Sequence, residues 1–280
     1  QYQGIDYLES GPIFNVWRAP LANDTDPWGS QQFTDRNFTP GLGRSIDNQL
    51  RTLGMRELIS QVDEIEIVKS TVQKVIVQIK AFSNSTLSSS NRTRLWSGAA
   101  AFERVENWTF LPDGTIELEQ EIIPHGPMPD MLQKAGIQFQ LPKTFSNAEW
   151  YGRGPFENYP DRKTGSKVGR YKSNVDEMHV PYILPQDYGN RSDVRWLKVA
   201  DEKGKGLYFK GNNLLNFSLH KYSTDNLERA VYTYQLKESP NTILNVDYEV
   251  TGVGDGASRV LQKYRVLPGV KKYKLTIKPF

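Results

Sequence analysis

The densest run of chemically able side chains is Trp150-Tyr-Gly-Arg-Gly-Pro-Phe-Glu-Asn-Tyr-Pro-Asp-Arg162. Within 13 residues it supplies Trp150, Tyr151, Phe156 and Tyr159 beside Arg153, Glu157, Asn158, Asp161 and Arg162. Rings that stack on the apolar face of a sugar, next to carboxylates and amides that bond its hydroxyls, are what a carbohydrate site needs. Glu157 and Asp161 also qualify by type as a general acid and base. The competing reading makes Glu157, Asp161 and Arg162 an ion-pair network bracing a long loop, and composition alone favours that bracing role.

Other chemistries find less support. His125, His179 and His220 are far apart, none lies in a His-Glu-x-x-His pattern, and the chain has no cysteine. Thiolate zinc sites, disulfides and cysteine nucleophiles are thereby excluded, and a transition-metal site would need scattered ligands. Asp24 and Asp26 have the chemistry to touch calcium or sodium, but an Asp-rich turn more often caps its own backbone. No Gly-x-Ser-x-Gly elbow is present. Gly252-Val-Gly-Asp-Gly256 follows a strand pattern without opening a helix, so it predicts a tight loop rather than a dinucleotide cradle. Sequons at Asn23, Asn37, Asn84, Asn91, Asn107, Asn190 and Asn216 are read as chance in a chain rich in Asn, Ser and Thr.

The net charge of +3 is too small to point to nucleic acid, although the last 22 residues carry seven basic residues and no acid. Their spacing around Tyr264, Val266, Leu275 and Ile277 fits the solvated faces of strands. No 18-residue apolar stretch exists, which excludes a helical membrane span. The first residues hold no export signal, leaving cytoplasm and periplasm both open.

The elements that must position these residues read as strands. Val75, Val77 and Ile79 alternate with polar partners, as do Ile116, Leu118 and Ile122. Residues 105–110 and 116–122 flank Pro112-Asp113-Gly114, which predicts a hairpin. Further strands are expected at 137–141, 194–200, 206–210, 216–222, 243–251 and 271–277. Helix signal is confined to 45–53, capped by Ser45 and ended by Gly54, with 55–62 as an extension. Segments 17–44 and 151–193 read as long turn-rich loops, and 83–93 as a hairpin tip. No internal repeat is visible. The fold class is therefore all-β, an antiparallel β-sandwich with one short helix near 45–60.

Four segments carry a family resemblance: Tyr151–Arg162, Glu177-Met-His-Val-Pro-Tyr-Ile-Leu-Pro-Gln186, Gly189-Asn-Arg-Ser-Asp-Val-Arg-Trp-Leu197 and Trp17-Arg-Ala-Pro-Leu-Ala-Asn-Asp24. Together they resemble the C-terminal, small-chain domain of glycoside hydrolase family 2 β-galactosidases, and similar segments extend over about residues 8 to 280. Ala22 departs from the family's Arg-Ala-Pro-x-Asp-Asn-Asp pattern. The resemblance implies one large sandwich over 1–280 with galactose-mutarotase-like topology, lacking its first strands.

It also implies upstream domains or a large subunit as partner, an oligomeric parent, and galactosides as substrates. Hydrolysis would be done by two glutamates on a barrel outside this chain. No cofactor is implied here, since the family's magnesium and sodium sites lie on other domains. In some members a loop near the C-terminus brings a tryptophan to the galactoside. The corresponding segment here is Gly252–Arg259, shorter, with Arg259 about where the tryptophan stands.

Three readings follow: an accessory wall of the galactosidase active site, a carbohydrate-binding module using the concave sandwich face, and an aldose epimerase with His179 and Glu157 as its acid–base pair. The expected sugar contacts are Tyr151, Arg153, Glu157, Asn158, Asp161, Arg162, His179 and Arg259; no residue of the chain is expected to be catalytic.

Overall fold

A computed structural model of the chain describes residues 2–25, 46–85, 100–254 and 260–280. In chain order its strands are β1 (Ser10–Asn15), β2 (Leu58–Ser70), β3 (Val75–Ser85), β4 (Ala101–Phe110), β5 (Ile116–His125), β6 (Lys134–Leu141) and β7 (Asn147–Gly154). They continue as β8 (Lys167–Asn174), β9 (Arg191–Val194), β10 (Trp196–Ala200), β11 (Gly206–Gly211), β12 (Leu215–His220), β13 (Thr242–Val250) and β14 (Lys271–Pro279). Every pairing among them is antiparallel, so the all-β expectation holds. Nine strands form one sheet, in the order β2-β3-β4-β5-β14-β11-β10-β7-β8, and five form the other, β1-β6-β13-β12-β9.

The two sheets face each other across aromatic pairs, because alternate residues of each strand turn inward and the apolar ones must meet. Trp150 of β7 meets Phe217 of β12 edge to face at 5.4 Å, Phe139 of β6 meets Phe209 of β11 at 5.2 Å, and Phe14 of β1 meets Phe102 of β4 at 5.3 Å. All six rings are buried, with Leu197, Val199, Leu219, Leu244 and Val246 filling between them. Gly152 lets β7 approach β9: a Cβ there would sit 2.9 Å from the Val194 Cα.

The hairpin expected around Gly114 forms, with Leu111 and Thr115 bonded across the turn and Gly114 at φ +80°. Strand 194–200 is instead split into β9 and β10 at Arg195. The first helix, α1 (Ile46–Thr52), ends at Gly54 in the left-handed region, φ 72°; its expected cap Ser45 lies outside the described residues. Its extension over 55–62 is overturned: one 3-10 turn (Met55–Glu57) leads straight into β2, which bonds β3 over its full length.

The long-loop reading of 151–193 is also too simple. The end of β7, all of β8 and the start of β9 lie there, hidden from the sequence by glycines and alternating charges. Ser83, Asn84 and Ser85 belong to β3, and the rest of the expected tip lies outside the described residues. A second short helix, α2 (Thr224–Arg229), went unread although Ser223 caps it through the Asn226 N–H.

Replacing Trp150 by Ala removes a fully buried indole, its contact with Phe217 and its hydrogen bond to the Arg153 carbonyl. The expected loss is about 3–5 kcal/mol of folding stability, read from equilibrium urea unfolding. A loss under about 1 kcal/mol would contradict the placement of this residue at the centre of the sandwich.

Candidate functional site

Strand β13 ends at Val250, and the chain leaves the smaller sheet through Thr251, Gly252, Val253 and Gly254. Side chains from two of the sequence motifs converge on this stretch. Arg18 is buried and donates through Nη1 to the Thr251 carbonyl at 3.1 Å and through Nη2 to the Gly252 carbonyl at 3.3 Å. Asp24 faces the same guanidinium at 3.3 Å and accepts the Leu21 N–H at 3.1 Å, the turn-capping role expected for it. Asp26 lies outside the described residues. Burial pulls the Arg18 guanidinium downward, but Asp24 and Asp187 outweigh it and hold its pKa above the ordinary value.

Asp161 receives the Val253 and Gly254 N–H groups on its two oxygens, at 3.0 and 2.8 Å. Gly252 is required there, since a Cβ would lie 2.5 Å from the Asp161 carboxyl carbon. Arg162 donates to the Gly254 carbonyl at 2.9 Å, and the Asn23 amide donates to the Val253 carbonyl at 3.0 Å. The Gly252–Gly254 stretch is thus held from several sides, and the rest of the expected tight loop lies outside the described residues.

Beside this stretch lies a cleft of about 560 Å³, lined by Leu21, Asn23, Glu157, Arg162, Tyr182, Asp187 and neighbouring residues, among them Val253. Glu157 binds the Tyr182 hydroxyl through one oxygen and accepts the Gly189 N–H through the other, at 2.8 Å. That carboxylate therefore fixes a ring in the cleft wall. Burial first, and Glu157 second, raise the Tyr182 hydroxyl above its ordinary pKa, so it stays a donor. Asp187 is 8% exposed, lines the cleft and sits 4.0 Å from the buried His220 ring. Burial lifts its carboxyl to about 6 against the opposing pull of Lys134 and Arg18. Burial also lowers His220 to about 3, so that ring is neutral.

The expected sugar contacts separate into groups. Glu157 and Arg162 line the cleft, and Asp161 braces its rim. Asn158 is buried, its side chain spent on the Ser192 N–H at 2.9 Å and the Phe156 carbonyl at 3.0 Å. It joins two of the sequence motifs. Arg153 points to Asp193 and to the Ser166 carbonyl, bracing the loop before β8. Tyr151 is exposed on β7 beneath the Arg195 guanidinium, 5.4 Å away. His179 packs edgewise on Tyr188 and Tyr222 and does not line the cleft. Arg259 lies outside the described residues. Glu157 and Asp161 accept backbone N–H groups of different segments, Gly189 for the one and Val253 with Gly254 for the other.

Sequence reasoning passed over Asp187, which falls between the two quoted segments 177–186 and 189–197. The run Pro185-Gln186-Asp187 held the usable signal: Gln186 binds the Ala22 N–H at 2.9 Å and so brings its neighbour to the cleft. Of the sequons, Asn190 and Asn216 are buried, which fits the chance reading at those positions.

Residues 1–278 match the family described as "Beta galactosidase small chain". A β-galactosidase of Priestia megaterium is 30% identical over 253 residues, which is 90% of this chain and 21% of that relative. One from Photobacterium profundum is 30% identical over 99% of this chain and 25% of its own length. The chain spans between a fifth and a quarter of these relatives. Among solved structures, galactose 1-epimerase from Lactobacillus acidophilus aligns over 80% of this chain and 66% of its own, at 9% identity and a TM-score of 0.41.

Two expectations follow from the site geometry. Asp161→Ala leaves the Val253 and Gly254 N–H groups without their acceptor; the expected cost is about 1–3 kcal/mol, with faster amide exchange confined to 251–254 and its neighbours. Unchanged exchange there would show that Arg162 and Asn23 hold the stretch unaided. For Asp187 the folded pKa is raised, so its contribution is fully present below the unfolded value and is lost as pH rises through about 6. Carboxyl carbon NMR, assigned with Asp187→Asn, should find that midpoint near 6, and a midpoint below 4 would refute the burial argument.

Proposed function

This chain belongs to the β-galactosidase small-chain family, and from that membership we propose that it serves as an accessory domain of a larger β-galactosidase, forming one wall of the pocket that receives terminal β-D-galactosides. The supporting observation is the cleft beside Val253. Hydroxyl-bonding groups, the Asp187 and Glu157 carboxylates with the Asn23 and Gln186 amides, line it together with Tyr182, Leu21 and Ile183. Polar groups set among apolar surface suit a polyhydroxyl ring, whose edges carry hydroxyls and whose faces are apolar.

In this reading the domain performs no bond cleavage. The two carboxylates that retaining or inverting hydrolysis needs would come from the remainder of the parent enzyme. The bracing of residues 251–254 supports a positioning role, since a contact delivered from a loop is only as precise as the loop's anchorage. Magnesium, sodium and oligomeric assembly belong, in the same reading, to the parent. The binding-module alternative uses the same cleft without a barrel beside it. The epimerase alternative needs His179 and Glu157 at one site, and of the two Glu157 lines this cleft while His179 packs on Tyr188.

Calorimetric titration of the chain with galactose and lactose, against glucose, separates the first two readings. The accessory reading expects no saturation up to about 100 mM, corresponding to an interaction weaker than about 1.4 kcal/mol. Galactose-selective saturation at millimolar concentration would favour the binding module. In the parent enzyme, Asp187→Ala is expected to lower kcat/KM for a nitrophenyl β-galactoside by roughly tenfold or more, the usual scale for one lost polar contact. An unchanged value would remove the cleft from the substrate pocket.

A further inference from the structure

The nine-stranded sheet is wider than the sheet that covers it. Register identifies what the overhang carries. Ile65 pairs with Ile79 and Ile67 with Val77, and Val77 pairs with Trp108 and Val75 with Phe110. These positions share a face with Phe102, which enters the core by packing on Phe14. The strip is therefore the inward face of the sheet, extended past the last strand opposing it. Ile65 and Ile67 are each 64% exposed, Val62 56% and Phe110 41%, while Val75, Val77, Ile79 and Trp108 are half-buried.

The outward face of the same strands is built differently. Glu64, Glu66, Lys80, Glu119 and Lys274 occupy it, with Lys80 paired to Glu64 at 2.8 Å and Lys274 to Glu119. One hairpin thus carries a solvated face and an apolar face that no other described residue covers. A contiguous apolar patch of this kind marks an interface.

We infer that this strip, Val62, Ile65, Ile67, Val77, Ile79 and Phe110, docks an apolar surface of the parent β-galactosidase lying outside these 280 residues. The inference rests on the accessory-domain reading above. The relatives supply the occupant: this chain is 21% of one and 25% of another, so most of the parent is absent from it. A segment tethered in the same polypeptide meets the strip at an effective concentration near millimolar, which a free second copy at micromolar levels does not match. Nor does β2 offer a good edge to a second copy. Its ladder is interrupted between Val62 and Glu64 and again between Ile67 and Lys69, and such bulges spoil edge-to-edge pairing. The face is adhesive; the edge is guarded.

The test uses the full-length enzyme. Ile67→Cys and, as a control on the opposite face one residue away, Glu66→Cys are labelled with a maleimide and read peptide by peptide. Labelling at position 67 should be roughly tenfold or more slower than at 66, and equally so across a dilution series. Equal rates would overturn the inference, as would protection at 67 that is lost on dilution, which would assign the strip to a second copy. A photo-crosslinking residue placed at position 65 provides an independent reading. Cross-links to residues outside the 280 support the proposal, and cross-links confined within them overturn it. Hydrolysis of a nitrophenyl β-galactoside by the unsubstituted enzyme tests the accessory-domain reading separately, so an active enzyme with an open strip would fail this proposal alone.

Discussion

A guanidinium removed from water must find both a counter-charge and hydrogen-bond acceptors, and the interior around Arg18 is arranged to supply them. Asp24 provides the charge, and the carbonyls of Thr251 and Gly252 provide acceptors at the point where β13 leaves the smaller sheet. Leaving such a charge unpaired would cost several kcal/mol, so the turn from residue 18 to 24 and the exit of β13 are obliged to stay together. The same turn then presents Asn23 to Val253 and receives Gln186 on the Ala22 N–H. One buried charge thereby ties the turn that carries Asn23 to the stretch that carries Val253, both of which line the cleft.

The second organising fact is a mismatch of width. The aromatic pairs Trp150–Phe217, Phe139–Phe209 and Phe14–Phe102 mark the zone where the sheets cover each other. The cleft lies where β13 leaves the smaller sheet, and among the described residues the larger sheet runs on past its partner as β2 and β3. The domain therefore offers two incomplete surfaces, a polar concave one and an apolar flat one.

Much of the fold was legible because alternation records which face of a strand meets water. Val75, Val77, Ile79 and Ile116, Leu118, Ile122 mark β3 and β5, and Pro112-Asp-Gly114 marks the turn before β5. Strand β8 was illegible, since Lys167–Asn174 sits at a sheet edge with little to bury, so its alternation carries no apolar signal. Strand β2 was mistaken in part for helix because Gly54 and the short turn after it blur the boundary. Of the expected contacts, residue type pointed equally to Glu157 and Arg162, which line the cleft, and to Asn158 and Arg153, which bond to other segments.

The amino-acid sequence determined the fold class, the family and the neighbourhood of the site, because alternating burial and linear motifs are local properties of the chain. Tertiary structure decided which side of each motif faces the cleft. Asp187 becomes a buried carboxylate only when the Ala19–Ala22 stretch, bonded to Asp187 and Gln186, and the His220 ring are brought around it from distant parts of the chain. Asp161 becomes a backbone acceptor only when Gly252 approaches closer than any Cβ would allow. A side chain's type states which bonds it is able to make; which of them it makes depends on partners far away in the chain, and those are chosen by packing.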